Sequence, residues 1–334
     1  MSDINTSVNQ NHSSSATPAK SLAVVFDQPG ALSIRSLPLP TPGPGEVMVD
    51  IHWSGISTGT ERLLWTGDMP PFPGLDYPLV PGYESVGVIS QTGPDCTLEV
   101  GQTVFVPGAN CYGEIRGLFG GTSSRLVTSE QRIRPIAEDL GKNAALLALM
   151  ATAYHALVGN PDDDLPGLII GHGVLGRLLA RLVIALGGTA PTVWETDPER
   201  RKGTQGYLCT APGDDGSGPH RCIVDASGAH GIVDQLIPHL APHGEIVLAG
   251  FYSAPVSFEF PPAFMKEARI RIAAEWQPSD FDAVCELAQA RPELLDDLVT
   301  HCLSADQALQ AYKVAFEDPS CLKMILDWTG AKSQ

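Results

Sequence analysis

The chain has 334 residues, of which 43% are hydrophobic and 18% are charged, a composition typical of a folded globular protein. This length favours about two domains, because a single hydrophobic core rarely grows so large. Lys and Arg number 21 against 38 Asp and Glu, which gives a net charge of −17. A field of that sign repels phosphate backbones, so nucleic acid is excluded as an expected partner.

Cysteine usage and the N-terminus indicate a cytoplasmic protein. The seven cysteines are odd in number and form no C-x-x-C pair, which predicts reduced thiols and argues against disulfides or a four-cysteine zinc site. Residues 1–20 are rich in Ser, Asn and Thr and predict a disordered tail, not a signal peptide. No apolar run of about 18 residues occurs, so we expect no membrane span. Peripheral membrane contact and a homodimer stay open.

The first part of the chain predicts short β-strands separated by Gly and Pro. These strands are expected at residues 22–26, 47–53, 82–89 and 103–107. The pattern predicts a small all-β barrel over residues 21–150.

From residue 140 onward, helices and strands alternate. Helices are predicted at 143–157 and 174–186, and strands at 168–170, 192–194, 221–225 and 245–249. Such alternation is typical of a parallel sheet with helices on both faces, so residues 151–285 are predicted to form a doubly wound α/β domain. Residues 286–334 are predicted to return to the first domain.

A glycine-rich turn follows the predicted strand at 168–170 and opens the next helix; it reads Gly171-His172-Gly173-Val174-Leu175-Gly176. In this context the first glycine makes the turn, the second lets the backbone approach a pyrophosphate, and the third lets the helix pack on the strand. Glu195 follows the next strand, where a carboxylate binds ribose hydroxyls and repels the extra phosphate of NADP. The pattern therefore predicts NAD as cofactor, with Arg200 and Arg201 as the neighbouring cations that could rescue NADP binding.

Three segments resemble those of the medium-chain dehydrogenase/reductase superfamily, at 38–47, 80–84 and 152–157. The resemblance implies a GroES-like barrel that carries the catalytic groups, then a Rossmann domain, then a return to the barrel. Zinc-dependent members hold their catalytic metal at three positions that correspond here to Ser57, Tyr83 and Ala148. None of these is a usual zinc ligand. The structural zinc loop of the family, expected near residues 95–120, would need four cysteines, and only Cys96 and Cys111 occur there, so no metal is expected.

A closer resemblance runs from Trp53 to Glu84. Its segments are Trp53-Ser54-Gly55-Ile56-Ser57-Thr58-Gly59-Thr60-Glu61-Arg62, Trp65-Thr66-Gly67 and Pro73-Gly74-Leu75-Asp76-Tyr77-Pro78-Leu79-Val80-Pro81-Gly82-Tyr83-Glu84. They are similar to the bacteriochlorophyllide a dehydrogenases of bacteriochlorophyll biosynthesis, and the resemblance covers residues 21–330. It implies NAD-dependent oxidation of the 3-(1-hydroxyethyl) group of a bacteriochlorophyllide-type tetrapyrrole to a 3-acetyl group, without zinc.

Without a metal, side chains must accept the hydroxyl proton of the alcohol or steer it to water. Tyr83 takes the place of a ligand His, so its phenol is expected near the reacting carbon. Its ordinary pKa of about 10 needs help near neutrality, and a pocket wall is the alternative role. Ser57 and Thr60 are candidates to relay the proton, with local turn hydrogen bonds as the alternative.

Two acidic residues and one histidine complete the catalytic candidates. Glu84 and Glu61 could orient the relay, although the position of Glu84 after the reactive residue favours a structural role, with a backbone or Arg partner. His155 lies on the Ala-rich helix, where a lone histidine is more often packed than chemical.

A bacteriochlorin is large, flat and mostly apolar, so its site is expected to be wide and aromatic. The aromatic candidates are Trp53, Trp65, Phe72, Tyr77, Tyr83 and Trp276. Core packing is the alternative for Trp53 and a domain contact for Trp276. Arg62 and Arg116 are candidate cations for the propionate of the substrate, with surface solvation as the alternative.

Two other functions fit the same features. A zinc-free quinone or enoyl reductase of this superfamily would also lack the metal ligands, but the carboxylate of Glu195 argues against the NADPH preference that would support it. A protein that binds a nucleotide and carries or senses a tetrapyrrole without turnover would keep the glycine-rich turn as well.

Overall fold

The computed structural model describes residues 19–71, 73–159, 164–252 and 254–331. Its α-helices are α1 (Thr60–Thr66), α2 (Leu147–Val158), α3 (Val174–Ala185), α4 (Ile232–Leu236), α5 (Phe260–Met265), α6 (Pro278–Ala290) and α7 (Ala308–Glu317). Short 3-10 helices occur at Glu130–Arg132, Glu138–Leu146, Pro212–Asp214, Ile237–His239, Pro292–Leu295 and Ala305–Gln307.

The strands of the first part of the chain are β1 (Lys20–Gln28), β2 (Ala31–Pro38), β3 (Glu46–Ile56), β4 (Leu79–Val80), β5 (Ser85–Thr92), β6 (Thr103–Val106), β7 (Arg116–Gly117), β8 (Arg125–Ser129) and β9 (Arg134–Pro135). Those of the second part are β10 (Leu168–Ile170), β11 (Thr192–Trp194), β12 (Leu208–Thr210), β13 (His220–Asp225), β14 (Leu240–Leu248), β15 (Arg269–Ile272), β16 (Val299–Ser304) and β17 (Lys323–Asp327).

Two sheets build the first domain. One runs β2-β1-β4-β7, and the other runs β16-β17-β3-β5-β6-β9 with β8 paired to β3. Their apolar side chains form one core, which includes Phe26, Ile56 and Leu126. Because β17 pairs with β3, the end of the chain lies in the same sheet as the segment that precedes Ser57.

The second domain is a six-stranded sheet in the order β12-β11-β10-β13-β14-β15. Every pair in it is parallel. This is the strand order of the Rossmann fold, whose switch point lies between the two central strands, β10 and β13. The predicted combination of a β-barrel and a doubly wound parallel sheet is confirmed.

Several predicted bounds differ from the structure. The strand predicted at 82–89 begins only at Ser85, because Gly82 has a φ of 94° and turns the chain before the strand. The domain limits expected at residues 150 and 285 fall inside α2 and α6, two helices that pack against each other, and stay a prediction. The predicted tail at 1–20 overlaps β1 at Lys20, and residues 1–18 lie outside the described part of the chain.

Candidate active site

Three hydroxyl-bearing residues meet where β3 ends and β5 is about to begin. The Ser57 Oγ lies 2.9 Å from the Tyr83 hydroxyl, and the backbone N–H of Thr60 donates to the same Oγ over 3.3 Å. The Thr60 side chain also hydrogen-bonds the phenol. The antiparallel pairing of β3 with β5 brings the two segments together, since Ser54 pairs with Ser85. The structure therefore joins the three residues that the sequence proposed as a relay.

Tyr83 is held as a neutral phenol. Burial raises its pKa above the ordinary value, the negative charge of Glu84 raises it further, and the hydroxyls of Ser57 and Thr60 lower it only in part. Its ring packs edge-to-face on Phe119, with centroids 5.6 Å apart. At neutral pH this side chain can donate or pass on a proton, but it holds no negative charge with which to begin a reaction.

Glu61 is a buried carboxyl attached to the same cluster. It accepts a hydrogen bond from the backbone N–H of Ser57 at 3.1 Å and another from the Tyr312 hydroxyl at 2.5 Å. Burial raises its pKa to about 7 in spite of these bonds. The sequence proposed Glu61 only as an orienting group and missed Tyr312, which lies on α7, far along the chain. A buried group that titrates near neutrality is suited to proton transfer.

Glu84 forms an ion pair with Lys323 of β17, and both side chains are almost fully buried. Burial raises the pKa of Glu84 and the Lys323 ammonium lowers it. Gly55 leaves room for the pair, because a Cβ there would stand 2.1 Å from the Glu84 Oε2. Sequence reasoning missed Lys323, although a lysine that opens the apolar run Lys323-Met-Ile-Leu invites a search for a buried partner.

His155 lies at the contact between two helices. Its Nδ1 is 2.8 Å from the Asp280 carboxylate, which also accepts the backbone N–H of Gln277 at 2.7 Å. The ring therefore ties α2 to the first turn of α6. Among the described residues, no hydrogen bond or ring contact joins His155 to the hydroxyl cluster, so its candidacy as a catalytic residue stays a prediction.

Each of the three glycines in the glycine-rich turn has the geometry expected of a dinucleotide-binding turn. Gly171 has a φ of 92°, and its N–H donates to the Trp194 carbonyl at 2.8 Å. A Cβ on Gly176 would stand 1.8 Å from the Gly171 carbonyl oxygen, so α3 packs this closely only with glycine. A Cβ on Gly173 would meet nothing within 4 Å. The space beside Gly173 is open, and Val174 and Leu175 begin the helix whose N–H groups face it.

Glu195 closes the same turn from the end of β11. Its carboxylate accepts the backbone N–H groups of His172 and Asp197, each at 3.0 Å. The Arg200 carbonyl accepts from the buried Arg177 side chain at 3.0 Å, whereas the Arg200 Nε points to the Pro319 carbonyl at 3.4 Å. The loop after β11 is thus fixed with a carboxylate at its base, where the ribose of a dinucleotide would lie.

The proposed substrate-binding residues separate into packed and accessible groups. Trp65 packs on Phe26 and stacks on Tyr312, and the Tyr77 hydroxyl donates to the Leu64 carbonyl. Trp53 and Trp276 are half-buried, and Arg62 and Arg116 are exposed. Phe72 lies outside the described residues. Trp65 and Tyr77 therefore fix α1 on the barrel core, and Trp53 and Trp276 pack against the core of the second domain.

The donor atoms do not suit zinc. The three positions that the resemblance matches to zinc ligands carry the hydroxyl of Ser57, the phenol of Tyr83 and the methyl group of Ala148. Within the described ranges, no three His, Cys, Asp or Glu side chains are grouped as a metal site. In the same part of the chain, no helix is long and apolar enough to cross a membrane.

Comparison with known proteins agrees with this architecture. Residues 43–138 match the family described as alcohol dehydrogenase GroES-like domain. The 2R,3R-butanediol dehydrogenase of Bacillus subtilis superposes with a TM-score of 0.80 at 20% identity, over 92% of this chain and 99% of that one. An alcohol dehydrogenase of Escherichia coli solved with NADH gives 0.78 at 22% identity, with the same coverage.

Two curated relatives are much more similar in sequence. Both are 2-desacetyl-2-hydroxyethyl bacteriochlorophyllide A dehydrogenases. The protein from Rhodobacter capsulatus is 56% identical over 310 residues, which cover 92% of this chain and 98% of the relative. The protein from Cereibacter sphaeroides is 52% identical over 314 residues, with the same coverage. The chain is therefore an oxidoreductase that belongs to the bacteriochlorophyllide a dehydrogenase family of the medium-chain dehydrogenases.

Proposed function

We propose that this protein oxidises the hydroxyethyl group of a bacteriochlorophyllide (position 3 in the ring numbering used above) to an acetyl group, with NAD as the hydride acceptor and without zinc. The relatives named above support the substrate. The observation that supports the zinc-free chemistry is the 2.9 Å contact between the Ser57 and Tyr83 hydroxyls, at the positions where zinc-dependent members carry metal ligands. Bound NAD would supply a carbon that accepts the hydride.

The residues of the chain handle the proton. A secondary alcohol gives up a hydride readily only as its O–H bond breaks, so a group must take that proton. The neutral Tyr83 can receive it on its oxygen while passing its own proton to Ser57. The N–H of Thr60 occupies one lone pair of the Ser57 Oγ and so orients the hydroxyl. Ser57 must then release its own hydroxyl proton, and we propose Glu61 as the final acceptor because its carboxyl lies beside Ser57, whose backbone N–H it accepts, and has a pKa of about 7.

The preference for NAD over NADP rests on Glu195. Two backbone N–H groups hold its carboxylate at the base of the glycine-rich turn, so a 2′-phosphate bound there would meet a fixed negative charge. Dissociation constants of both cofactors test this, with Glu195→Gln as the comparison. We expect wild type to bind NAD more tightly and the variant to bind NADP about tenfold better than wild type does. Equal or tighter NADP binding by wild type would contradict the preference.

One experiment tests the whole reaction. The protein is incubated with NAD and a bacteriochlorophyllide that carries the hydroxyethyl group, and the spectrum is followed for the red shift of the acetyl product together with NADH absorbance. Both changes are expected. Tight binding of cofactor and pigment without turnover would favour a carrier or sensor. Reduction of a conjugated double bond with NADPH would favour the reductase.

The metal content is tested separately. Because a hydroxyl, a phenol and a methyl group replace the zinc ligands, elemental analysis of the purified protein should find far less than one zinc per chain. Dialysis against a chelator should then leave the activity unchanged. About one tightly bound zinc per chain would contradict this part of the proposal.

A homodimer through β15 completes the proposal. This strand is the edge of the parallel sheet. Arg271 turns inward to Glu245 and the Ala156 carbonyl, while Ile272 is 77% exposed. An edge strand with an exposed apolar side chain is open to pairing with an identical strand. Light scattering should give the mass of two chains, and Ile272→Lys should give one.

A further inference from the structure

A cavity of about 200 Å³ lies at the domain junction, away from the hydroxyl cluster. Phe105 and Pro107 line it from the barrel, Trp276 and Phe281 line it from the Rossmann side, and Arg132 and Arg134 line its rim. A ligand site for a drug-sized molecule occupies roughly 300–1,000 Å³, so this cavity takes an arm of a ligand and not a macrocycle.

The cavity carries positive charge in a chain of net charge −17. The Arg134 guanidinium donates to the Gln131 and Ile133 carbonyls, each at 3.0 Å, and pairs with Asp282 at 3.3 Å. The Arg132 guanidinium makes no hydrogen bond or ion pair with any described residue. The charge of Arg134 is thus compensated by Asp282, whereas the Arg132 guanidinium is available to bind an anion. A guanidinium offers paired N–H groups that match a carboxylate.

The opposite wall is aromatic. Phe281 packs on Phe105 with ring centroids 4.8 Å apart and on Trp276 at 6.2 Å. Trp276 is half-buried, so part of its ring faces the cavity. An aromatic wall beside a cation suits a ligand that joins a flat apolar ring to an acidic arm.

The strand register relates the cavity to Tyr83. Ser85, two residues after Tyr83, pairs with Val106 of β6, and Phe105 of β6 pairs with Arg134 of β9. The strand that carries Arg134, β9, therefore lies two strand spacings from β5, the strand that follows Tyr83, which is about 10 Å. That separation is comparable with the width of a tetrapyrrole. Trp276 follows the carboxyl end of β15. The glycine-rich turn follows the carboxyl end of β10, so both lie on the same side of the parallel sheet.

We propose that this cavity is the subsite for the propionate arm of the tetrapyrrole, with Arg132 as the carboxylate-binding residue and Trp276 as the surface against which the ring edge packs. The inference rests on the proposed function for the identity of the pigment. It replaces Arg62 and Arg116 as candidate cations. All three arginines are exposed, but only Arg132 lines this cavity.

The test pairs a change in the protein with a change in the ligand. The probes are the hydroxyethyl bacteriochlorophyllide with a free propionate and its methyl ester, titrated into protein saturated with NADH so that no turnover occurs. Binding is followed by quenching of tryptophan fluorescence. We expect wild type to bind the free acid about 10- to 100-fold more tightly than the ester, the usual value of a charged hydrogen-bonded pair.

Arg132→Gln should lower the affinity for the acid to that for the ester and leave ester binding unchanged. Arg62→Gln and Arg116→Gln are the matched controls, and each should keep the wild-type ratio of acid to ester. A wild-type ratio in Arg132→Gln would overturn the assignment, as would an equal loss for both probes. Loss of the ratio in a control variant would move the subsite to that residue. Because binding is measured without turnover, an inactive protein would contradict the proposed reaction and leave this test intact.

Discussion

Tyr83 is the residue on which the proposed chemistry depends most directly. Tyr83→Phe keeps the ring on Phe119 and removes only the hydroxyl that contacts Ser57. If that hydroxyl transfers the proton, kcat should fall by about 10²–10⁴-fold while pigment binding changes little. Tyr83→Ala should weaken binding as well. Steady-state kinetics with the hydroxyethyl pigment measure both. Full activity in Tyr83→Phe would limit Tyr83 to shaping the pocket.

We expect Glu61 to make the reaction dependent on pH. Its pKa is about 7, and only the ionised carboxylate can accept a proton. We expect kcat to rise as the pH increases through 7 and to fall about tenfold per unit well below it. Glu61→Gln should lower kcat and remove this rise, because the amide cannot accept the proton. An unchanged pH profile in Glu61→Gln would exclude the carboxyl as acceptor.

Glu61 should also make the free energy of unfolding depend on pH. Because burial raises the pKa of Glu61 from 4.5 to about 7, the folded protein holds a proton that the unfolded chain has released between these values. Stability contributed by this site is therefore lost as the pH rises from about 4.5 to 7. Urea unfolding of wild type should show the decrease, and Glu61→Gln should show less of it. This measurement separates the titration of Glu61 from its effect on kcat.

At the scale of elements, the glycines of the glycine-rich turn serve two different purposes: Gly176 allows close packing and Gly173 leaves space for the cofactor. Gly176 is needed for packing, since a Cβ there would overlap the Gly171 carbonyl, whereas a Cβ on Gly173 meets open space. Gly176→Ala should therefore lower the melting temperature. Gly173→Ala should leave it unchanged and weaken NAD binding at least tenfold, because its methyl group would occupy the path of the pyrophosphate. Thermal melts and cofactor titrations of both variants check this. Normal NAD binding by Gly173→Ala would contradict the placement of the cofactor.

The parts of the fold that were predicted are those that short stretches of sequence specify by themselves. The turn between β10 and α3 is specified locally by glycines and apolar residues, and the strand at 192–194 was predicted with its observed bounds. By contrast, β12 and β15 were missed. Each has three or four residues and lies at an edge of the sheet, where only one neighbouring strand constrains its sequence. A run of three or four residues is too short for the alternation of apolar and polar side chains to identify a strand.

At the scale of the whole molecule, the end of the chain completes the site. The sequence predicted that residues 286–334 return to the barrel but not what they contribute. Tyr312 reaches Glu61 and Lys323 reaches Glu84 from α7 and β17. No local pattern relates residues so far apart. Their partners depend on the pairing of β17 with β3, which only the tertiary structure fixes. The hydroxyl cluster was predictable because Ser57 and Tyr83 lie in motifs, and its buried support was not.

The pair of Glu84 and Lys323 tests whether this return segment stabilises the site by charge. Both side chains are almost fully buried, so removing one partner leaves an uncompensated charge. Lys323→Met should lower the free energy of unfolding by about 3–5 kcal/mol, and Glu84→Gln combined with Lys323→Met should recover most of that loss. Urea unfolding of the two variants and of wild type measures it, with the exposed Lys313→Met of α7 as the control. If the double variant is as unstable as Lys323→Met alone, the lysine stabilises the fold through the packing of its stem and not through Glu84. If the double variant is stable yet has a lower kcat with unchanged KM, the pair also positions Tyr83 for proton transfer.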